Sequence, residues 1–330
     1  MKLFDRVAVY AAFTRPFTLL PPTLGVVSGA ITAFGSAHNP DPERRLTLAV
    51  IVTISLGSLC AALLNAASNV LNQIHDLEID RRNKPLRPLP SGTIAIPVAR
   101  RYAAVLYVLA LAPTWLVVIH PRVGFADRLF APLAAHECFF VYLAGLILTL
   151  VYSDPAWGRT KRFGLWANLT IAVPRGCLLK VAGWSMVGSI LHVEPWYIGI
   201  VFLLFLLGAT TSKDFSDMEG DAAHGCRTLP IAWGVERAAR FAAPFFIVPW
   251  LLVPLGVLLP DPFGAGPILT GRPLPLAVLG IGLALWGAYT ARLILKDPAS
   301  LASTENHPSW THMYLMMMCA QVGFALAYLP

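Results

Sequence analysis

The chain has 330 residues, 56% of them hydrophobic and only 13% charged, with a mean hydropathy of +0.64, a balance that excludes a soluble enzyme of this length. The formal net charge of +7 follows from membrane topology, as set out below, and gives no reason to propose a nucleic-acid partner. Cys60, Cys138, Cys177, Cys226 and Cys319 form no C-x-x-C pair and no ligand-like spacing, which argues against a zinc site or a disulfide framework.

A bilayer crossing needs about 20 mostly apolar residues. Nine such stretches occur in chain order, at 13–34, 47–74, 102–119, 130–152, 165–190, 195–212, 241–259, 274–295 and 309–329. The first lacks a convincing cleavage site and reads as a retained helix. No Gly/Ser-rich or charged linker divides the chain. The predicted fold is all-α, one transmembrane domain over 1–330, a bundle of about nine helices around a central cavity.

Basic residues test this topology. Lys2, Arg6, Arg81, Arg82, Lys84, Arg87, Arg100, Arg101, Arg159, Lys161, Arg162, Lys213, Arg227, Arg237, Arg240, Arg292 and Lys296 fall on one side, seventeen in all. Arg44, Arg45, Arg122, Arg128 and Arg272 fall on the other, while Arg15, Arg175 and Lys180 lie within or at the edges of spans. Positive charge collects on cytoplasmic connectors, so the amino terminus and the basic side are expected in the cytoplasm.

The second stretch ends in Asn72-x-x-x-Asp76-x-x-x-Asp80. Steps of four advance about 400° around a helix, so the three side chains share one face. Asn65 and Asn69 extend the stripe deeper. Amides and carboxylates there are costly unless they face water, a cation or each other, more than a merely solvated helix end requires. Lys84 and Arg87 stand between this motif and Pro88-Leu-Pro90-Ser91-Gly92, a connector expected to fold back over the cavity. Tyr152 ends the fourth stretch, where an interfacial anchor and a cavity-facing role are both open. In the fifth, Arg175 and Lys180 need a partner, a wet pocket or a route to the interface. Arg175 follows the helix-opening Pro174, with Asn168 seven residues earlier on nearly the same face.

The sixth stretch ends in Lys213-Asp214-x-x-Asp217-x-Glu219-x-Asp221, where Asp214, Asp217 and Asp221 recur at helical spacing. A faint internal echo links the motifs: Asp76-Leu-Glu78-Ile-Asp80 is followed by Leu89-Pro90, and Asp217-Met-Glu219-Gly-Asp221 by Leu229-Pro230. Two such half-sites facing one cavity would repel unless a cation filled the gap. Hard oxygen donors select magnesium, commonly shared between carboxylates and substrate phosphates. Arg and Lys supply phosphate donors, although topology alone accounts for many of them.

Asn72-Gln-Ile-His-Asp76-Leu-Glu-Ile-Asp80, continuing to Asn83-Lys84-Pro85-Leu-Arg87-Pro88-Leu-Pro90-Ser91-Gly92, together with Lys213-Asp214-Phe-Ser-Asp217-Met-Glu219-Gly-Asp221 and Thr228-Leu-Pro230, resembles the UbiA superfamily of intramembrane prenyltransferases over essentially the whole chain. The resemblance implies nine helices with both motifs on cytoplasmic connectors. It also implies that Asn72, Asp76, Asp80, Asp217 and Asp221 hold Mg2+ and diphosphate, with Lys84 and Arg87 assisting. Asn72-Gln73 replaces the Asn-Asp of many members, leaving the first motif one carboxylate short. The second motif is similar to those of homogentisate and archaeal geranylgeranylglyceryl phosphate prenyltransferases, and less so to chlorophyll synthases.

The expected reaction is therefore magnesium-dependent transfer of a prenyl group from a prenyl diphosphate to an aromatic, quinone-precursor-like, or lipid acceptor within the membrane. Asp76, Asp80, Asp217 and Asp221 are the candidate catalytic residues. Asn72, Lys84, Arg87, Lys213, Asp214, Arg175, Tyr152 and Asn168 are the candidate substrate contacts. The alternatives are a membrane terpene cyclase, in which the ionised donor is captured internally, and a cation-coupled secondary transporter, which predicts acidic residues near the bilayer midplane.

Overall fold

A computed structural model describes residues 3–118, 124–223, 225–304 and 307–329; Lys2 and Arg122 lie outside the described residues, as do the side chains of residues 3–5, Arg82 and Asn83. Among the described residues the fold is all-helical, with no strand and two isolated bridges, Phe163 to Arg227 and Pro260 to Pro267. From the amino end run α1 (Leu3–Thr14), α2 (Leu20–Gly35), α3 (Leu48–His75), α4 (Leu77–Asn83), α5 (Ile96–Leu111), α6 (Phe125–Leu129), α7 (Glu137–Ser153), α8 (Gly164–Ala172) and α9 (Leu179–Trp184). There follow α10 (Val193–Asp214), α11 (Met218–Ala223), α12 (Leu229–Trp233), α13 (Val235–Ala242), α14 (Val248–Leu258), α15 (Pro273–Lys296), α16 (Pro298–Ser303) and α17 (Pro308–Tyr328).

Among the described residues six helical stretches are long and apolar enough to cross a bilayer: Pro16–Gly35, Leu48–His75, Ile96–Leu116, Val193–Asp214, Val235–Leu258 and Pro273–Lys296. The remaining three of the nine expected crossings are helical but fall short of that standard. α7 has only 17 residues, a π turn at Val173–Leu178 divides the fifth crossing between α8 and α9, and α17 carries His312 and Gln321. Leu109, Leu251, Ile281, Leu285 and Val322 face outward. An apolar exterior over a packed interior suits a bundle solvated by lipid.

Two packing features position the functional end. α2 and α9 cross backbone to backbone at Gly29 and Gly183: a Cβ on Gly183 would lie 2.1 Å from the Val26 carbonyl oxygen. Small residues at such a crossing let membrane helices pack closely. α10 runs through the interior, burying Phe202 and Phe205 against Trp250, Phe246 and Phe324. A second apolar cluster joins Phe13, Ala67, Val70, Leu77, Leu89 and Ala103, and so ties α1, α3, α4, the Pro-rich connector and α5 together.

The echo seen in the sequence recurs in three dimensions. A long helix stops at His75 or Asp214, a short one, α4 or α11, carries further acidic residues, and a buried Leu89 or Leu229 follows. The connectors around these ends meet one another. Gly164 N–H donates to Arg227 O at 2.9 Å, Arg227 N–H to Arg162 O at 3.0 Å, and His75 lies 3.9 Å from Asp154. At the opposite end of the bundle Arg44 donates to Ser36 O and Arg272 to Leu326 O, so these two basic residues lie away from the acidic ends, as the charge count expects.

Candidate active site

Asp76 closes α3 and opens α4; it is nearly buried, 6% exposed, within a wall of charge. Its Oδ1 accepts from Arg159 at 3.1 Å and its Oδ2 from Lys161. One turn on, Asp80 accepts twice from a single guanidinium nitrogen of Arg87, at 2.7 and 2.6 Å. Contacts between ionised partners are the strong hydrogen bonds, and here they hold the basic connectors against the first motif. Among the described residues the second motif has no such pairs: Asp217 is exposed and without an ion pair, and Asp214 Oδ2 is buried with no hydrogen-bond partner. Asn72 Oδ1 is likewise buried and unpartnered.

The two motifs share one electrostatic environment. Asp221 senses Asp76 as well as its own neighbour Asp217, and Lys161 acts on both Asp76 and Asp221. Burial raises the Asp221 carboxyl above the ordinary range, with Asp217 and Asp76 adding to the effect and Lys161 opposing it. Lys84 stands between Asp217 and Asp80; burial first, then Arg87 and Arg15, hold its ammonium below the usual lysine range. The clusters thus lie on one side of the bundle and within reach of common cations.

Arg175 and Lys213 keep accessible surface although protein surrounds them, as side chains do when they line a cavity. Arg175 donates to Asn65 Oδ1 at 3.4 Å and lies in the field of Tyr152 and Tyr314. Tyr152 in turn senses Asp214, Asp76 and Asp221, so it faces the acidic end. Beneath Arg175 a cavity runs between α2, α3, α7 and α9, about 540 Å³ with the open space at its mouth included, and Asn65, Ser68, Tyr142 and Thr149 are the polar side chains that share its lining with Arg175. A charged mouth therefore opens onto an apolar interior.

The structure corrects the reading of several polar side chains. Asn168, expected near Arg175, is 1% exposed and donates to Thr211 Oγ1 at 2.7 Å; it ties α8 to α10 and presents no surface to a ligand. Asn65 and Asn69 do not simply extend a ligand stripe, because their amide nitrogens donate to Thr18 O and Thr14 O and so dock the break between α1 and α2. Gln73, which stands where many members of the resembled family carry Asp, turns away and donates to Phe13 O at 2.9 Å. Lys180 is buried, hydrogen-bonded to Ser28 Oγ at 2.8 Å and set over the Phe202 ring. It neither snorkels nor lines the cavity.

Sequence reasoning passed over Arg15 and Tyr314 and left Arg159 and Lys161 to topology. Arg15 senses Arg87, Asp80, Arg175 and Asp76 and belongs to the basic ring. Arg15 and Arg159 both adopt positive φ, 57° and 45°, a conformation that costs a side-chain-bearing residue on the order of 1–3 kcal/mol. No sequence pattern announces that conformation.

The donor set fits a hard divalent cation: carboxylate and amide oxygens, two of them buried and unpartnered, beside basic groups suited to phosphate. Among the described residues no three acidic, His or Cys side chains stand close enough to share one ion. Asp76 and Asp80 are turned toward Arg159, Lys161 and Arg87 instead.

Comparison with known proteins points the same way. Residues 19–309 match the UbiA prenyltransferase family. The chain is 30% identical over 236 residues to the digeranylgeranylglyceryl phosphate synthase of Methanoculleus marisnigri, covering 72% of each chain. It is 27% identical over 310 residues to the bacteriochlorophyll synthase 33 kDa chain of Cereibacter sphaeroides, covering 93% of this chain and 89% of that one. The fold matches the structure of a UbiA homolog from Archaeoglobus fulgidus bound to GPP and Mg2+ with a TM-score of 0.65 at 20% identity, covering 96% and 99% of the two chains.

Proposed function

The chain belongs to the UbiA prenyltransferase family, and from that premise we propose that it is a magnesium-dependent, multi-pass membrane enzyme that moves a prenyl group from a prenyl diphosphate to an aromatic or lipid acceptor. One observation carries the detail. Two acidic helix ends with unpartnered oxygens, Asn72 Oδ1 and Asp214 Oδ2, share a ring of cations at the mouth of an apolar cavity.

Asn72, Asp76, Asp80, Asp217 and Asp221 are the proposed ligands of Mg2+, which when bound supplies positive charge to the diphosphate leaving group. Arg87, Arg159 and Lys161 now hold Asp80 and Asp76. A diphosphate gives these side chains phosphate oxygens to grip in exchange, which releases both carboxylates for the cation. Lys84 and Lys213, each in the field of Asp217, add charge opposite the developing anion. Arg175, with Tyr152 and Tyr314 in its field, stands where the polar end meets the apolar cavity and orients the allylic carbon. The cavity below excludes water while the allylic C–O bond breaks, so the acceptor's nucleophilic atom takes the prenyl group and gives up its proton, and the diphosphate leaves with the electron pair of the broken bond. The chain acts as one unit over 1–330, with its amino terminus and acidic ends in the cytoplasm, on the strength of the charge asymmetry.

The test is mass spectrometry of products from purified protein given prenyl diphosphates and a panel of aromatic and glycerol-lipid acceptors. The expected result is a prenylated acceptor and released diphosphate, abolished by chelation and restored by Mg2+. A cyclised product from donor alone would replace the reading with a terpene cyclase, and uptake into proteoliposomes without diphosphate release would replace it with a transporter.

A further inference from the structure

Past the far end of the cavity below Arg175 stand side chains that the proposed reaction does not use. The cavity lining runs along α3 from Ser68 to Ala61 and along α7 from Thr149 to Val141. At 1.5 Å per residue these steps carry it roughly 10–12 Å into the bundle. Polar Asn65, Ser68, Thr149 and Arg175 lie toward the acidic end, while Ala61, Val141 and Ala182 lie at the far end. One helical turn beyond Ala61 is Gly57, and one turn beyond Ala182 is Met186.

These residues interlock. The Tyr142 hydroxyl, on the cavity wall, donates to Gly57 O at 2.7 Å. Met186 lies across Gly57, and a Cβ there would stand 2.0 Å from its Cε and 2.5 Å from its Sδ. Both side chains are nearly buried, Tyr142 at 3% and Met186 at 4% exposed. Gly29 and Gly183 make room for a neighbouring helix backbone, whereas Gly57 makes room for the tip of a methionine. The glycine therefore seats a plug rather than a helix crossing, and the phenol hydroxyl pins the wall beside it.

We propose that Tyr142 and Met186, seated on Gly57, form the gauge that sets the longest prenyl tail the enzyme accepts. The inference rests on the prenyl diphosphate reading above. Met186→Ala removes the plug and deepens the cavity. Gly57→Ala pushes the thioether up into it, because the added methyl takes the space the methionine tip occupies. The two changes act in opposite directions, and the double substitution brings the depth back toward its starting value.

The experiment measures binding of geranyl, farnesyl, geranylgeranyl and geranylfarnesyl diphosphates to full-length protein in nanodiscs with Mg2+, each variant first checked for monodispersity. Met186→Ala is expected to raise the affinity ratio of the longest to the shortest donor about tenfold, and Gly57→Ala to lower it about tenfold. The double variant should fall between them. If either single variant fails to fold, the other still gives a signed result. An unchanged length profile in the folded variants, with the wild type binding donors normally, overturns the gauge alone. No binding of any prenyl diphosphate to the wild type overturns the functional reading instead.

Discussion

Glu194 and Asp214 belong to the same helix, α10, one in its first turn and the other at its last residue. Glu194 is fully buried and fully satisfied. Ser36, the Thr270 backbone and hydroxyl, and Tyr328 all donate to it, and it sits at the helix end where a negative charge is favoured. Asp214 is at the wrong end for an anion, with Asp217 and Asp221 nearby and Oδ2 unpartnered. A carboxylate enclosed by fixed neutral donors is finished as part of the architecture. A carboxylate placed against the dipole with an oxygen left unpartnered is, under the reading proposed above, the one that receives a cation, and that difference separates the fastening end of the molecule from its proposed reactive end.

The sharpest way to break this comparison is to remove charge at the reactive end. Asp76→Ala or Asp217→Ala is expected to lower kcat/KM on the order of 10³-fold, with the protein still folded and inserted; variants turning over at wild-type rates would end the assignment. The exchange of Glu194→Gln with Asp214→Asn tests both ends at once. Glu194→Gln loses charge-assisted bonds and is expected to cost about 2–3 kcal/mol, seen as a lower melting temperature, while the protein that remains folded keeps its magnesium requirement. Asp214→Asn should leave melting unchanged or raise it, because like-charge repulsion is relieved, and should impair turnover. The same phenotype in both variants would erase the contrast.

A smaller effect concerns pH. A lysine is charged below its pKa, and burial beside Arg87 and Arg15 lowers that of Lys84. As pH rises, Lys84 loses its charge earlier than an exposed lysine would, and KM for the donor is expected to climb by about tenfold, the worth of one charge-assisted contact. Lys84→Arg keeps the charge and should flatten that alkaline rise; an unaltered profile would remove Lys84 from donor binding. The smallest effect is expected from Asn168→Ala, about 1 kcal/mol of stability with KM unchanged, because its bond to Thr211 fastens two helices.

The acidic ends were legible in the sequence because 3.6-residue geometry fixes which side chains share a face, and the connectors' basic character follows from how membranes sort charge. The same sorting rule hid Arg159 and Lys161. It explains every cytoplasmic cation equally well, so it cannot single out the two that clasp Asp76. Gln73 is one residue, about 100°, away from Asn72, and the helical wheel already turned it toward another neighbour. The shared face expected for Asn168 and Arg175 failed for the opposite reason. The seven-residue rule assumes an unbroken α-helix, and a π turn begins between them at Val173. The fifth crossing misses the length and hydropathy standard for a related cause, because windows of hydropathy do not see where a backbone changes its winding.

That π turn makes the fifth crossing two devices in series. Its first half is keyed to α10 through Asn168, the turn itself aims Arg175 at Asn65, and its second half lays Gly183 against α2. A deletion that returned Val173–Leu178 to ordinary α winding would rotate one half against the other by about 100°. Either the anchor would hold and the guanidinium would swing off target, or the aim would hold and the anchor would tear. The irregular winding is the coupling by which a lipid-embedded rod keeps two incompatible headings at once.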